Sequence, residues 1–183
     1  MLSDKNKVLL KSLAIQSIEY GLKHDKPLSV TLDNQDPELI KHSASFVTLT
    51  KNGELRGCIG SLEAHRALIE DVVNNSFSSA FRDYRFSPVT EQELNNLDII
   101  LSILSPPQLM EFVSKNDLLN QLRPNIDGLI IEDREHRATF LPSVWQSLPQ
   151  AEQFLTQLKL KAGLNTNYWS PQLQAYRYTT ESF

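Results

Sequence analysis

The chain has 183 residues, 40% hydrophobic and 22% charged, which suits a soluble globular protein with a sizeable core, as one domain or two closely packed lobes. A net charge of −4 and the lack of any Lys/Arg run argue against a nucleic-acid surface. One cysteine excludes an internal disulfide, which fits a reducing cytosol.

The opening "MLSDKNKVLLKSLAIQSIEYGLK" resembles a signal peptide only superficially, because Lys11 interrupts it and no small-residue cleavage site follows. The most apolar stretch, "LDIILSIL", is far too short to span a bilayer, so a cytoplasmic protein without a membrane anchor is expected.

The first predicted element is a helix from about Lys5 to Lys23. Val8, Leu9, Leu13, Ile18 and Leu22 spread over a broad apolar surface, as in a helix contacted on more than one side. Pro27 ends it, and a polar stretch through Asp36-Pro37 follows. In "SASFVTLTKNGELRGCIG" residues 45–50 alternate as a strand. Asn52-Gly53 then supplies the tight hairpin turn that needs positive φ at both central residues, and Leu55 opens the return strand. Leu68/Ile69, Val72/Val73, Ser76/Phe77 and Ala80/Phe81 recur about every four residues, predicting a helix over about 66–82 that stops near Asp83.

Thr90-x-x-Glu93 is a capping box opening a short helix. Ile99, Leu101 and Ile103 alternate as a strand that Pro106-Pro107 halts. A short helix from Asp117 to Leu122 precedes strands at Leu129–Glu132 and Arg137–Leu141, joined across residues 133–136. A helix from Gln150 to Ala162 stops at Gly163, and "LQAYRY" forms a last strand. Helices and hairpins without a regular βαβ rhythm indicate an α+β fold.

The chemistry concentrates in "LRGCIG", residues 55–60, which holds the only cysteine. Strict alternation would put Leu55, Gly57 and Ile59 on a core-facing side and Arg56, Cys58 and Gly60 on the other. A cation beside a thiol favours the thiolate, and the glycines would leave room for another molecule. The alternative is a buried, inert cysteine with glycines marking a bulge or tight bend.

His24, His42, His65 and His136 do not pair at metal-ligand spacing, so no metal site is read from them. His65 is expected on an exposed helix start. His136, in the expected turn, is a candidate base for Cys58 or a solvated turn residue. In "RDYRF" Arg82 and Arg85 flank Asp83 just past a helix end; Arg85 suits the helix dipole or an anion in a cleft. Trp145 and Trp169 are expected as core or lobe-packing residues. No nucleotide fingerprint or nucleophile elbow is present, and one cysteine cannot hold an Fe–S cluster.

"LRGCIGSL" (55–62), "AFRDYRFSPVTEQEL" (80–94), "DGLII" (127–131), "ATFLPSVW" (138–145) and "FLTQLKLKAGL" (154–164) resemble, together and in order, the AMMECR family. Its bacterial members are called AmmeMemoRadiSam system protein A. "YW" at 168–169 and "YRY" at 176–178 extend the match, while Tyr84 stands where many members carry proline. The resemblance implies an α+β fold in two unequal lobes with antiparallel sheets, with residues 55–60 lining a groove between them as the candidate active site. It also implies Memo-like and radical S-adenosylmethionine partner proteins, which would carry any metal or cluster chemistry. It specifies no cofactor for this chain.

Two readings follow. One is a small enzyme or enzyme component with Cys58 as nucleophile or covalent anchor, Arg56 binding an anionic group, and amides around Gly57 and Gly60 cradling an oxyanion. The other is a non-catalytic adaptor whose groove binds a small anionic ligand, a peptide or the partner proteins while Cys58 packs. A nucleic-acid-associated regulator is disfavoured by the charge.

Overall fold

In the computed structural model, which describes residues 2–183, the first long element is α1 (Asp4–His24). Ser3 Oγ accepts the Asn6 amide at 3.3 Å to start it, and Asp25 in the left-handed region (φ 52°) closes it onto the Gly21 carbonyl. Leu10, Ala14 and Ile18 bury one stripe of this helix. Leu9 and Leu13 pack partly buried against the same core, while Val8 remains 70% exposed. After a single turn, α2 (Pro37–Ile40), the chain enters β1 (Ser45–Lys51) and β2 (Glu54–Gly60). Asn52 (φ 54°) and Gly53 (φ 81°) both take the positive φ that the hairpin demands.

The chain divides into two compact units. In the first, residues up to Leu104 with Glu181–Phe183, α3 (Leu68–Phe81) packs with α1 against Val47 and Leu49, both fully buried. β3 (Leu97–Leu104) pairs with the far side of β1, and β8 (Thr180–Ser182) joins it, giving the order β2-β1-β3-β8 with β2 at an edge.

A buried polar cluster ties the start of β1 to α3. The carboxylate of Asp71 accepts from the Ser45 amide (2.8 Å) and hydroxyl (2.6 Å), Ser61 Oγ (2.8 Å), Arg66 Nε (3.0 Å) and Asn75 Nδ2 (2.9 Å). Every lone-pair direction of this buried group therefore has a donor, which is what makes its burial tolerable.

The second unit, Ser105–Thr180, carries β4 (Gln108–Leu109), α4 (Lys115–Gln121), β5 (Gly128–Asp133), β6 (His136–Phe140), α5 (Ala151–Lys161) and β7 (Gln174–Tyr178). Its sheet order is β4-β7-β5-β6. Leu129, Ile131 and Ala138 meet Phe154, Leu155 and Leu158 of α5 in its core. Trp145 is buried there, stacked on Phe154 at 3.9 Å, and its indole N–H bonds the Asp127 carbonyl at 2.7 Å. Both sheets are antiparallel in their recorded pairings, and the fold is α+β. Among the described residues no helix is long and apolar enough to cross a membrane.

Candidate functional site

Cys58 lies on β2, half-buried, with its Sγ 3.3 Å from the hydroxyl of Thr48 directly across on β1. Its main chain is held from outside the sheet. Asp83 Oδ2 accepts the Cys58 amide at 2.9 Å, and Arg85 Nη2 donates to the Cys58 carbonyl at 3.3 Å. The two side chains are themselves locked together, Arg85 Nη2 to Asp83 Oδ2 at 2.7 Å and Arg85 Nε to Asp83 Oδ1 at 2.9 Å. An edge strand leaves alternate amides and carbonyls unpaired, and here a charged pair takes the place of the missing neighbour.

Asp83 can do this because α3 stops at Phe81, which turns the next residues back toward β2. The Asp83 side chain is 2% exposed, whereas that of Arg85 is 44% exposed. The hydrogen bond from the Arg85 guanidinium, helped by the Cys58 and Arg85 amides, draws the Asp83 carboxyl down to about 2 despite its burial. Arg85 is correspondingly raised, first by Asp83, with the neighbouring Cys58 adding to it.

Arg56 behaves differently from the alternation expected of it. The pairing runs Leu49↔Gly57 and then Thr50↔Leu55, so Arg56 is the extra residue of a β-bulge. The parity of the strand changes across it. Leu55, 44% exposed, falls on the face of Thr50, Thr48 and Cys58, while Gly57 and Ile59 pair with the buried Leu49 and Val47. Arg56 reaches Glu93 instead of the thiol, through Nε (2.9 Å) and Nη2 (3.1 Å). Glu93 also accepts from Lys51 Nζ (3.0 Å) and from the amide and hydroxyl of Thr90. The Arg56 hydrogen bond is the main cause holding the Glu93 carboxyl well below the usual carboxylate range. The capping-box glutamate thus also anchors the bulge.

The glycines do not leave a vacancy either. A Cβ on Gly57 would sit 2.1 Å from the Ser79 carbonyl oxygen of α3, and one on Gly60 2.3 Å from the Phe46 ring. Both glycines serve close packing inside the protein, on opposite faces of β2. Ser79 continues the contact at Ile59, its hydroxyl accepting the Ile59 amide (2.9 Å) and donating to the Val47 carbonyl (2.8 Å). The amides of Cys58 and Ile59 are therefore engaged by protein groups and do not form an oxyanion cradle.

His136 belongs to the second unit. It opens β6 rather than sitting in the turn, where Arg134 takes the positive φ of 56°. Its Nδ1 is 2.9 Å from the Ala162 carbonyl oxygen. His24, His42 and His65 are exposed. Among the described residues no group of three or more His, Cys, Asp or Glu is placed to hold a metal ion. Trp169 is 36% exposed, which rules out the core half of the expectation for it. Asp83 and Ser79 shape the site and carry no motif of their own, while Glu93 was legible only as a capping-box residue and not as the partner of Arg56. For Asp83 the available signal was an acid between two arginines where an amphipathic pattern ends.

A family model described as AMMECR1 matches residues 11–183. A protein of Methanothermobacter thermautotrophicus is 35% identical over 187 aligned residues, covering 98% of this chain and 94% of its own. A protein of Thermotoga maritima is 33% identical, with 93% and 94% covered. Among solved structures, the uncharacterized protein PH0010 from Pyrococcus horikoshii superposes with a TM-score of 0.87 at 32% identity, over 95% of this chain and 88% of that one.

Proposed function

The chain belongs to the AMMECR1 family, and from that premise we propose that it is a small cytoplasmic enzyme or enzyme component whose reactive group is Cys58. One observation carries the reading. The backbone of Cys58 is clamped on both its amide and its carbonyl by charged side chains, while its sulfur lies 3.3 Å from the neutral hydroxyl of Thr48. A thiol held on a fixed strand beside an exposed guanidinium suits attack on, or covalent capture of, a ligand whose anionic end rests on Arg85. Arg85 replaces Arg56 in that role, because its side chain is 44% exposed and contacts the Cys58 carbonyl even while paired with Asp83, whereas Arg56 is 14% exposed and turned to Glu93. Leu55, on the same strand face as Cys58, would border the ligand, while Gly57, Ile59 and Gly60 hold the strand in shape. Memo-like and radical S-adenosylmethionine proteins are the partners with which such a component would work.

The test is alkylation of the folded protein by iodoacetamide at neutral pH, followed by mass spectrometry. Modification of Cys58 at a rate comparable to a free thiol is expected. Reaction only after denaturation would remove the nucleophile reading.

A second reading, a non-catalytic binding module, is favoured because among the described residues no His, Asp or Glu is hydrogen-bonded to Sγ. It predicts that Cys58→Ser retains partner capture and any cellular activity, whereas the nucleophile reading predicts loss of activity with capture intact.

A further inference from the structure

The second unit contains a separate opening at the end of β4. Met110 donates its amide to the Ala175 carbonyl at 2.9 Å, and beyond it residues 111–113 leave the strand pairing with β7. A cavity of about 350 Å³ lies there, lined on one side by residues 109–113 and on the other by residues 169–171, 173 and 174. Its floor is the buried pair Met110 and Leu173, and its walls are the rings of Phe112 and Trp169, with centroids 5.7 Å apart and planes at 59°. A tilted aromatic pair makes a wedge whose π faces carry partial negative charge.

The polar lining is equally one-sided. Glu111 is the only charged residue of the cavity. Among the described residues its carboxylate has no ion-pair partner, and the indole N–H of Trp169 has no acceptor. An outward aromatic face, one unneutralised carboxylate and an N–H donor without a protein acceptor complement a planar cation attached to a carbonyl-bearing chain. The rim adds a second requirement: Leu109 is 57% exposed and Val113 94% exposed. An isolated cation would leave both uncovered, whereas a peptide carrying apolar neighbours would cover them.

We propose that this cavity binds an extended peptide through an arginine side chain, the guanidinium lying between Trp169 and Glu111 and the flanking apolar residues resting on Leu109 and Val113. The site belongs wholly to the second unit and does not depend on the role of Cys58.

The two indoles of the chain, Trp145 and Trp169, provide the readout. In ¹⁵N-labelled full-length protein, titration with acetyl-Leu-Arg-Leu-amide should move the Trp169 indole resonance saturably, with the buried Trp145 as internal control. Replacing Glu111 by Gln, at an exposed position, should weaken binding by about fivefold to tenfold with an unchanged melting temperature. Acetyl-arginine-amide alone should bind at least about tenfold more weakly than the tripeptide, since it lacks the apolar flanks. Equal affinity of the two would overturn the peptide as occupant. Equal affinity of a peptide carrying citrulline in place of arginine, or of the Glu111→Gln variant, would overturn the cation. No saturable shift of the Trp169 resonance would overturn the site.

Discussion

The carboxylate of Asp83 accepts the amide of Cys58 at 2.9 Å across 25 residues of sequence, so the thiol's backbone is positioned by a residue two places past the end of α3 at Phe81. Asp83→Ala would leave that amide without its partner and release Arg85. The expected loss is about 2–4 kcal/mol of stability, measured by urea denaturation. A loss below about 0.5 kcal/mol would show that water replaces the carboxylate without difficulty.

Acid should reveal the same group. The folded Asp83 carboxyl titrates at about 2 against an ordinary 3.8, so it binds its proton less readily folded than unfolded. Its contribution, of order 2 kcal/mol, is complete above about pH 4 and is lost as pH falls through 2. The stability gap between wild type and Asp83→Asn should therefore narrow from pH 4 to pH 2. A gap independent of pH across that range would contradict the assignment.

The two arginines near the thiol should separate cleanly in alkylation kinetics. Arg85→Gln removes the exposed guanidinium that contacts the Cys58 backbone and should slow modification by the anionic reagent iodoacetate severalfold, with little change for neutral iodoacetamide. Arg56→Gln should change that rate less than about twofold, while leaving Glu93 short of its main partner and costing about 1.5–3 kcal/mol. The reverse ranking would place Arg56, not Arg85, beside the thiol.

Gly57→Ala should be destabilising by about 1–3 kcal/mol or more, because the added carbon meets helix backbone at 2.1 Å and backbone cannot rotate aside. Gly60→Val should also destabilise, since the Phe46 ring and the Ser45 carbonyl oxygen occupy the space a side chain would need. Thermal melts of both variants measure this; a wild-type melt for Gly57→Ala would mean that α3 lifts off the strand at little cost.

Asp71→Ala removes the acceptor shared by Ser45, Ser61, Arg66 and Asn75 and should cost about 3–5 kcal/mol by chemical denaturation. Asp71→Asn, which cannot accept from all of those donors, should fall between it and wild type.

The hairpin was legible from Asn52-Gly53 because that turn is specified by two adjacent residues. The bulge four residues later was not, since it is set by Glu93 and Pro88 gripping Arg56 from 32 or more residues away. One inserted residue was enough to move Leu55 and Arg56 from the faces that alternation gave them. Long amphipathic segments such as α3 and α5 declared themselves by period. α2, β4 and β8 did not, because two to four residues hold no period to detect. At the site, Cys58 and Arg85 stood out by residue type. Asp83 reads locally as a solvated acid, and only the return of the chain past α3 makes it a buried one.

Ser79 reaches from α3 to the main chains of Ile59 and Val47, accepting a hydrogen bond from the amide of the first and donating one to the carbonyl of the second. Strand β2 therefore does not fray independently as an edge strand usually would. Hydrogen exchange at Ile59 requires α3 to withdraw, and with it the chain that carries Asp83 to Cys58. The amides of residues 58 and 59 should then exchange together with those in the middle of α3, at one shared opening free energy. Any event that pries that helix away, whether heat, a docking protein or a point substitution on its inner face, dismantles the thiol's surroundings in the same step.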